Sequence, residues 1–454
     1  MTKKQILDDL KYFNSRHQKL IIWKSIDRLD ESSYGKTDFD LLLMEGNFQT
    51  LLPLLKERGW TKFQAEKWRS FEKIHDFFKI IQDGKNNNFV IHFHIHEEVR
   101  TGERFTKSLV LNSKEFENKI VKVDGFETVE NEFDNKLKII RAAFKLTFLD
   151  LVLSLIRLNR NSIYKYRNEI LNTSSFWINT NNHIFSDYLH EPSVIKFLMI
   201  NKKIRKDFNH YRQKRTFNNY YFKLVYSKTS KGGKLVKNGF LVSLVGVDGS
   251  GKSTIINEIN NMLSKQFKTK MLYMGLPKSV KKLRATLYKF KKEPNKKEEA
   301  SINTNQLSTF KKNRLVNTLF SLLVSAIKLS KNIQIFFLKK RGYIIFTDRY
   351  PLDGVYDDLP QWENSFFSNI EKKANKRFIL PNKLFLLFVD EKVLELRKPE
   401  SYQGDYKIKL QTQQDLLKLA KNNERFLILD NSKNLNLNTF NIIKEIFEEV
   451  NNDY

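Results

Sequence analysis

An unbroken apolar run, Phe240–Val245, ends in Gly246-Val247-Asp248-Gly249-Ser250-Gly251-Lys252-Ser253, and a helical pattern follows. No other feature of the chain restricts its fold as much, because these eight residues meet G-x-x-x-x-G-K-[ST] without a mismatch, between a strand and a helix. The residue types answer to physics. Glycines let backbone N–H groups turn inward around a β-phosphate, the next helix directs its positive end at the anion, and Lys252 reaches the β/γ oxygens. Ser253 is then placed to hold Mg²⁺. The expectation is a phosphate loop for ATP or GTP made of Gly246, Asp248, Gly249, Ser250, Gly251, Lys252, Ser253 and Thr254; the plain alternative is a glycine-rich turn joining a strand to a helix. Further strand-like runs at 343–346 and 384–389, separated by long helical segments, predict a parallel α/β sheet around the loop.

The whole chain is larger than one such domain. Its 454 residues give a prior of about three domains at ~150 residues each, and 41% hydrophobic residues suffice for real cores. Four segments are expected: an α+β domain at 1–105, a mostly helical middle region at 106–226, a polar glycine-bearing linker at 227–238, and the phosphate-loop domain at 239–454. In the first, helical spacing at 6–13 and 48–58 alternates with strand-like runs at 39–44 and 89–96. Lys and Arg number 80 against 51 Asp and Glu, a formal charge of +29, so polyanions are natural partners. The abundance of Lys, Asn, Ile and Phe also fits a bias in base composition. With no cysteine, disulfides, thiolate metal sites and thiol nucleophiles are excluded. Asp8 and Asp9 interrupt any early apolar core, and Lys145, Asp150, Lys328 and Lys331 interrupt the apolar stretches at 142–158 and 319–338. A cytoplasmic protein with no membrane span is expected, with both stretches as buried helices.

After the apolar run at 343–346 comes Thr347-Asp348-Arg349-Tyr350. A carboxylate at the C-terminal end of a strand beside a phosphate loop lies where α/β sheets bind ligands, although a lone Asp-Arg-Tyr also reads as a surface ion pair. Together, GVDGSGKST and DRY resemble the thymidylate kinase group of nucleoside monophosphate kinases, over about 239–454. The resemblance implies ATP and Mg²⁺ as cofactors, with Lys252 on the phosphates, and Ser253 and Asp348 at the metal. It puts Asp248 facing the acceptor nucleotide, Arg349 on the acceptor phosphate, and Arg397 on a lid closing over ATP. Its catalytic set is Lys252, Asp348, Arg349 and Arg397. Asn431-Ser432, after the run 426–430, occupies the place of the family's adenine loop, and such kinases are commonly homodimers. One departure leaves the acceptor open. Family members acting on dTMP carry an arginine in an Arg-Glu-Pro type segment, whereas this chain has Gly275-Leu276-Pro277-Lys278, followed by a basic insert through Lys297.

In the first domain, Asp38-Phe39-Asp40 places two carboxylates at i and i+2, on one face of a strand, which is how two oxygen ligands can meet one Mg²⁺. This resembles the D-x-D strand of the nucleotidyltransferase superfamily, over about 17–160, with Asp38 and Asp40 implied as metal ligands. The Gly-Ser phosphate clamp of that family is absent, and His92 stands where its third carboxylate is expected. His92, His94 and His96 alternate along one strand. They read as a polar strand face or as imidazoles joining Asp38 and Asp40 around a metal.

Three functions are then separable. The first is an ATP-dependent phosphotransferase acting on a nucleoside monophosphate or related phosphorylated acceptor. The second is a nucleic-acid end-processing enzyme, which the charge and the basic aromatic stretch His210-Tyr211-Arg212-Gln213-Lys214-Arg215 would suit. The third is a non-catalytic switch driven by nucleotide occupancy.

Overall fold

The structure, a computed structural model, describes residues 1–64, 71–102, 107, 109–145, 194–212, 234, 236–274, 314–350, 377–397, 406–432 and 434–452. The segment 275–278, the basic insert, the aromatic stretch beyond Arg212 and most of the linker lie outside the described residues. The chain folds as two units, Met1–Lys231 with Val450–Tyr454, and Gly232–Glu449.

The N-terminal unit is built on a seven-stranded sheet in the order β3-β4-β5-β2-β1-β9-β8. Its strands are β1 (Leu20–Ile22), β2 (Phe39–Leu43), β3 (Thr61–Phe63), β4 (Ile74–Gln82), β5 (Asn88–His96), β8 (Ile120–Val123) and β9 (Phe126–Val129), while β6 (Val99–Thr101) pairs with β7 (Leu109–Leu111) in a ribbon. β2 runs parallel to β5, and β1 parallel to β9, with the other pairs of the large sheet antiparallel. Period-two alternation assigns each side chain its face. Phe39, Leu41 and Leu43 of β2 and Ile91, Phe93 and Ile95 of β5 share one core with Ile6 and Phe13 of α1 (Thr2–Ser15) and Leu51 and Leu55 of α3 (Phe48–Glu57). The short α2 (Leu29–Ser33) lies between β1 and β2 in sequence. The other face packs Leu42, Trp23 and Val129 against Leu137 of α4 (Asn131–Lys145). Asp40, His92, His94 and His96, the alternate residues of the same two strands, therefore belong to this second face.

Two expectations change here. The boundary at 105 cuts through the unit, because β8 and β9 complete the large sheet and the first α-helix after 105 among the described residues begins at Asn131. Leu137, Ile140 and Phe144 of α4 are buried at the expected helical spacing; Phe148 and Leu151 lie outside the described residues. α5 (Val194–Asp207) buries Ile200 and Ile204 in one cluster with Ile139, Ile140 and Phe144, and Phe208 and Tyr211 pack onto that cluster. The described start of the basic aromatic stretch is thus partly core.

The C-terminal unit holds five parallel strands in the order β11-β12-β10-β13-β14: β10 (Phe240–Val245), β11 (Thr269–Tyr273), β12 (Ile344–Asp348), β13 (Lys383–Phe388) and β14 (Phe426–Asp430). The parallel α/β sheet is as expected. β10 is central and buried throughout, and it leads through the glycine-rich turn into α6 (Lys252–Leu263). The described helices that follow are α7 (Arg314–Lys340), α8 (Glu391–Arg397), α9 (Tyr406–Lys421) and α10 (Leu435–Asn452). α7 departs from the buried helix expected at 319–338. Ile335 and Lys328 are buried, but Leu329, Ile333, Phe336 and Phe337 are 44–57% exposed. Among the described residues no helix is long and apolar enough to cross a membrane.

Candidate functional site

The phosphate loop leaves the C-terminal end of β10, flanked by β12 and β13, the position in a parallel sheet where ligands bind. Its glycines are required by geometry. Gly246, Gly249 and Gly251 all have positive φ, and a Cβ on Gly246 would come within 2.7 Å of both the Leu387 carbonyl oxygen and Ser250 Oγ. Gly251 caps α6 in the left-handed region, and its missing Cβ leaves room for Asn431 Nδ2. The Lys252 ammonium lies buried inside the turn, donating to the carbonyl oxygens of Gly246 at 2.9 Å and Val247 at 2.8 Å. Ser253 and Thr254 follow at the exposed start of α6.

Ninety-five residues further on, β12 brings Asp348 to Ser253, whose hydroxyl donates to Asp348 Oδ2 at 2.7 Å. The second carboxylate oxygen, Oδ1, is buried without a hydrogen-bond partner among the described residues, and such an orphan costs about 1–3 kcal/mol. A hydroxyl and a carboxylate with one uncommitted oxygen form a donor set of hard oxygens, beside an anion cradle made by the loop and the positive end of α6, and this fits Mg²⁺ carried by a nucleotide. Arg349 has φ of 70°, a left-handed conformation that costs a non-glycine residue about 1–3 kcal/mol and persists where surroundings impose it. Its backbone N–H donates to Leu244 O at 3.1 Å, and its guanidinium donates to Asp248 Oδ1 at 2.6 Å. The strained turn thus aims Arg349 across the loop.

Arg397 ends α8, and its guanidinium donates to Asn431 O at 2.8 Å beside Gly251. Lys398 and the rest of the expected lid lie outside the described residues. Asn431 is buried after β14 and donates from Nδ2 to Ser250 O at 2.8 Å, while Asn438 Nδ2 donates to Asn431 Oδ1 at 3.1 Å. This bracing of the loop escaped the sequence reading, where Asn431 stood only for an adenine loop. A short polar residue directly after an apolar strand was the available signal.

The N-terminal unit gathers a second constellation. Asp40 is buried, with Oδ1 lying 3.0 Å from His94 Nδ1, 3.9 Å from His96 Nε2 and 2.6 Å from Lys24 Nζ. Burial pushes its carboxyl upward, but Lys24, His94 and His96 overcome this and hold it well below the usual range. Asp38, just before β2, is partly exposed, with Oδ2 at 3.9 Å from His94 Nδ1 and 4.0 Å from His92 Nδ1. Burial and the neighbouring Asp40 raise its carboxyl, and the imidazoles with Lys24 outweigh them to leave it lowered. His96 is driven well below its usual value by burial first and the nearby His94 second. Two members went unforeseen. Asp76 on β4 lies 2.9 Å from His92 Nε2, and Lys24 comes two residues after the end of β1. Asp76 supplies a carboxylate on the strand next to the histidines, paired with His94, whereas the D-x-D resemblance looks for it at His92.

No protein-family model and no curated protein matches the chain. Among solved structures, a thymidylate kinase from Candida albicans is similar, with 22% identity over 47% of this chain and 93% of its own, at a TM-score of 0.32. So low a score leaves the functional reading to the residues themselves.

Proposed function

We propose that the C-terminal unit is an ATP-dependent phosphotransferase that moves the γ-phosphoryl group to a phosphorylated acceptor of the nucleoside monophosphate class. The observation that carries this reading is the Ser253–Asp348 contact, with the buried second oxygen of Asp348 left over. A turn that only joined a strand to a helix would have no use for a half-buried carboxylate at its mouth that keeps one oxygen unbonded among the described residues.

Phosphoryl transfer demands positioning and charge neutralisation more than covalent chemistry. The loop N–H groups and the first turn of α6 hold the β-phosphate, and Lys252 neutralises the β/γ oxygens. Ser253 and Asp348 would hold Mg²⁺, which would supply charge stabilisation to the transferring phosphoryl group. Arg349 is the residue for the acceptor phosphate, because its present partner Asp248 is half exposed and such a surface pair is worth only about 0–1 kcal/mol. An incoming phosphate dianion replaces that carboxylate, and the freed Asp248 faces the acceptor. Arg397, lying beside Gly251, adds positive charge on the ATP side.

The deciding experiment is an acceptor screen with γ-labelled ATP and the full chain, comparing Lys252→Ala. Transfer to nucleoside monophosphates or phosphorylated sugars, falling by orders of magnitude in the variant, supports the reading. Label passing only to 5′-hydroxyl oligonucleotides would replace it with end processing. Binding without transfer to any acceptor would leave a nucleotide switch.

A further inference from the structure

The phosphate site leaves the histidine face of β5 unused. We propose that Asp40, His94 and His96 form a binding site for a divalent transition-metal ion of the Zn²⁺ type in the N-terminal unit. The three atoms that would ligate are His94 Nδ1, His96 Nε2 and Asp40 Oδ1, separated by 3.0, 3.3 and 3.9 Å. A point equidistant from three atoms so spaced lies about 2.0 Å from each, which is the Zn–N and Zn–O bond length. An ion slightly out of their plane keeps its bonds near 2.1 Å and leaves one side open.

The sequence builds this arrangement. Alternation sends Ile91, Phe93 and Ile95 into the core under α1 and α3 and presents His94 and His96 together on the opposite face. Parallel pairing of β2 with β5 puts Asp40 directly across from His94. The Trp23 ring meets His96 edge-on at 5.1 Å, which fixes the imidazole and keeps water from its far side. His96 Nδ1 is buried with no hydrogen-bond partner among the described residues, so the imidazole is poorly satisfied by hydrogen bonds alone. Its other nitrogen faces His94 and Asp40, where a cation would use the lone pair. The partly exposed Asp38 offers a further oxygen, 3.9 Å from His94 Nδ1, as a candidate fourth ligand.

The donor set selects the ion. Two imidazoles and one carboxylate suit Zn²⁺ and its neighbours, whereas Mg²⁺ takes oxygen ligands. Lys24 is the competitor, its ammonium 2.6 Å from the same Asp40 Oδ1. An entering dication displaces that ammonium, so Lys24 opposes binding although it stabilises the metal-free carboxylate.

The test is a chelator-competition titration of the full chain with Zn²⁺, alongside Co²⁺ absorption as a spectroscopic probe. Expected are one equivalent bound below micromolar Kd, weakened at least about a hundredfold in Asp40→Asn and His94→Gln, and tightened about tenfold in Lys24→Gln. The Lys24 variant separates metal binding from packing, since loss of a structural ion pair cannot tighten a metal. The wild-type protein should show d–d bands of a four- or five-coordinate Co²⁺ site, a readout that stands if a variant fails to fold. Absence of a stoichiometric site in the wild type, binding that survives His94→Gln, or displacement by millimolar Mg²⁺ would overturn the assignment.

Discussion

At the scale of single residues, the two carboxylates that matter most are opposites in how fully they are satisfied. Asp348 has one oxygen bonded to Ser253 and one with no partner among the described residues, as the proposed metal role requires. Asp348→Asn keeps the shape and removes the charge. Turnover of labelled ATP should fall about 10²–10³-fold, while the melting temperature stays within a degree or two; wild-type turnover would remove Asp348 from the metal. Asp9 is the reverse case. It is fully buried on α1 and takes bonds from Arg58 Nε at 2.7 Å, Trp60 Nε1 at 2.9 Å and Lys79 Nζ at 2.6 Å. Asp9→Ala strands the indole N–H and unpairs two cations, which puts the loss in the range of about 3–5 kcal/mol for breaking a buried pair. Arg58 and Lys79 are near enough to the surface to regain water, so the low end is expected. A shift in urea midpoint worth less than about 1 kcal/mol would show that the cluster is not holding α1 to the sheet.

At the scale of elements, legibility followed burial. β10 and β13 stood out because inner parallel strands are covered on both faces and read as continuous apolar runs, and the edge strand β14 stood out by its apolar run alone, since only Phe426 of it is buried; β12 was recognised only to Phe346, yet Asp348 proved to be its last residue. The D-x-D strand was legible because Asp38 and Asp40 break an apolar pattern at period two. β4 was missed, since Phe77 and Phe78 are adjacent and both fully buried on opposite faces, which erases the alternation. With β4 went Asp76. β8 and β9 were missed as short strands among charged residues, and that error set the boundary at 105. Another element carries a prediction of its own. Asp134 lies in the first turn of α4, is buried, bonds Lys138 at 2.9 Å and leaves Oδ1 without a hydrogen-bond partner among the described residues. Burial raises its carboxyl above the ordinary value, ahead of the opposing pull of Lys138. A raised folded-state value means that the native state binds more protons than the unfolded chain between the two values, so this residue's contribution falls as pH rises through that window. Asp134→Asn is therefore expected to match or exceed the wild-type melting temperature at pH 7. Its advantage should shrink as pH is lowered toward 4. An asparagine variant less stable at pH 7 than at pH 4, relative to wild type, would mean that Lys138 holds the charge favourably after all.

At the scale of the whole molecule, each unit has its own sheet and its own core, and all the residues assigned to ATP belong to Gly232–Glu449. A ligand that binds one folded unit stabilises that unit by mass action, by about 2.7 kcal/mol at a hundredfold excess over Kd. For a unit of this size that amounts to roughly 5–10 °C. Calorimetry of the full chain with Mg²⁺ and a non-hydrolysable ATP analogue should therefore raise one unfolding transition and leave the other in place. The +29 charge complicates the reading, because a basic protein attracts any polyphosphate. Salt separates the two causes. Diffuse attraction is screened within about 8 Å at physiological ionic strength and less at higher salt, whereas loop N–H groups, α6 and the buried Lys252 act at contact distance. At 0.3 M KCl the shift should persist in the wild type and vanish in Lys252→Ala. A shift that disappears with salt, or that the alanine variant retains, would assign the nucleotide to the general charge of the molecule and remove the phosphate loop from the mechanism.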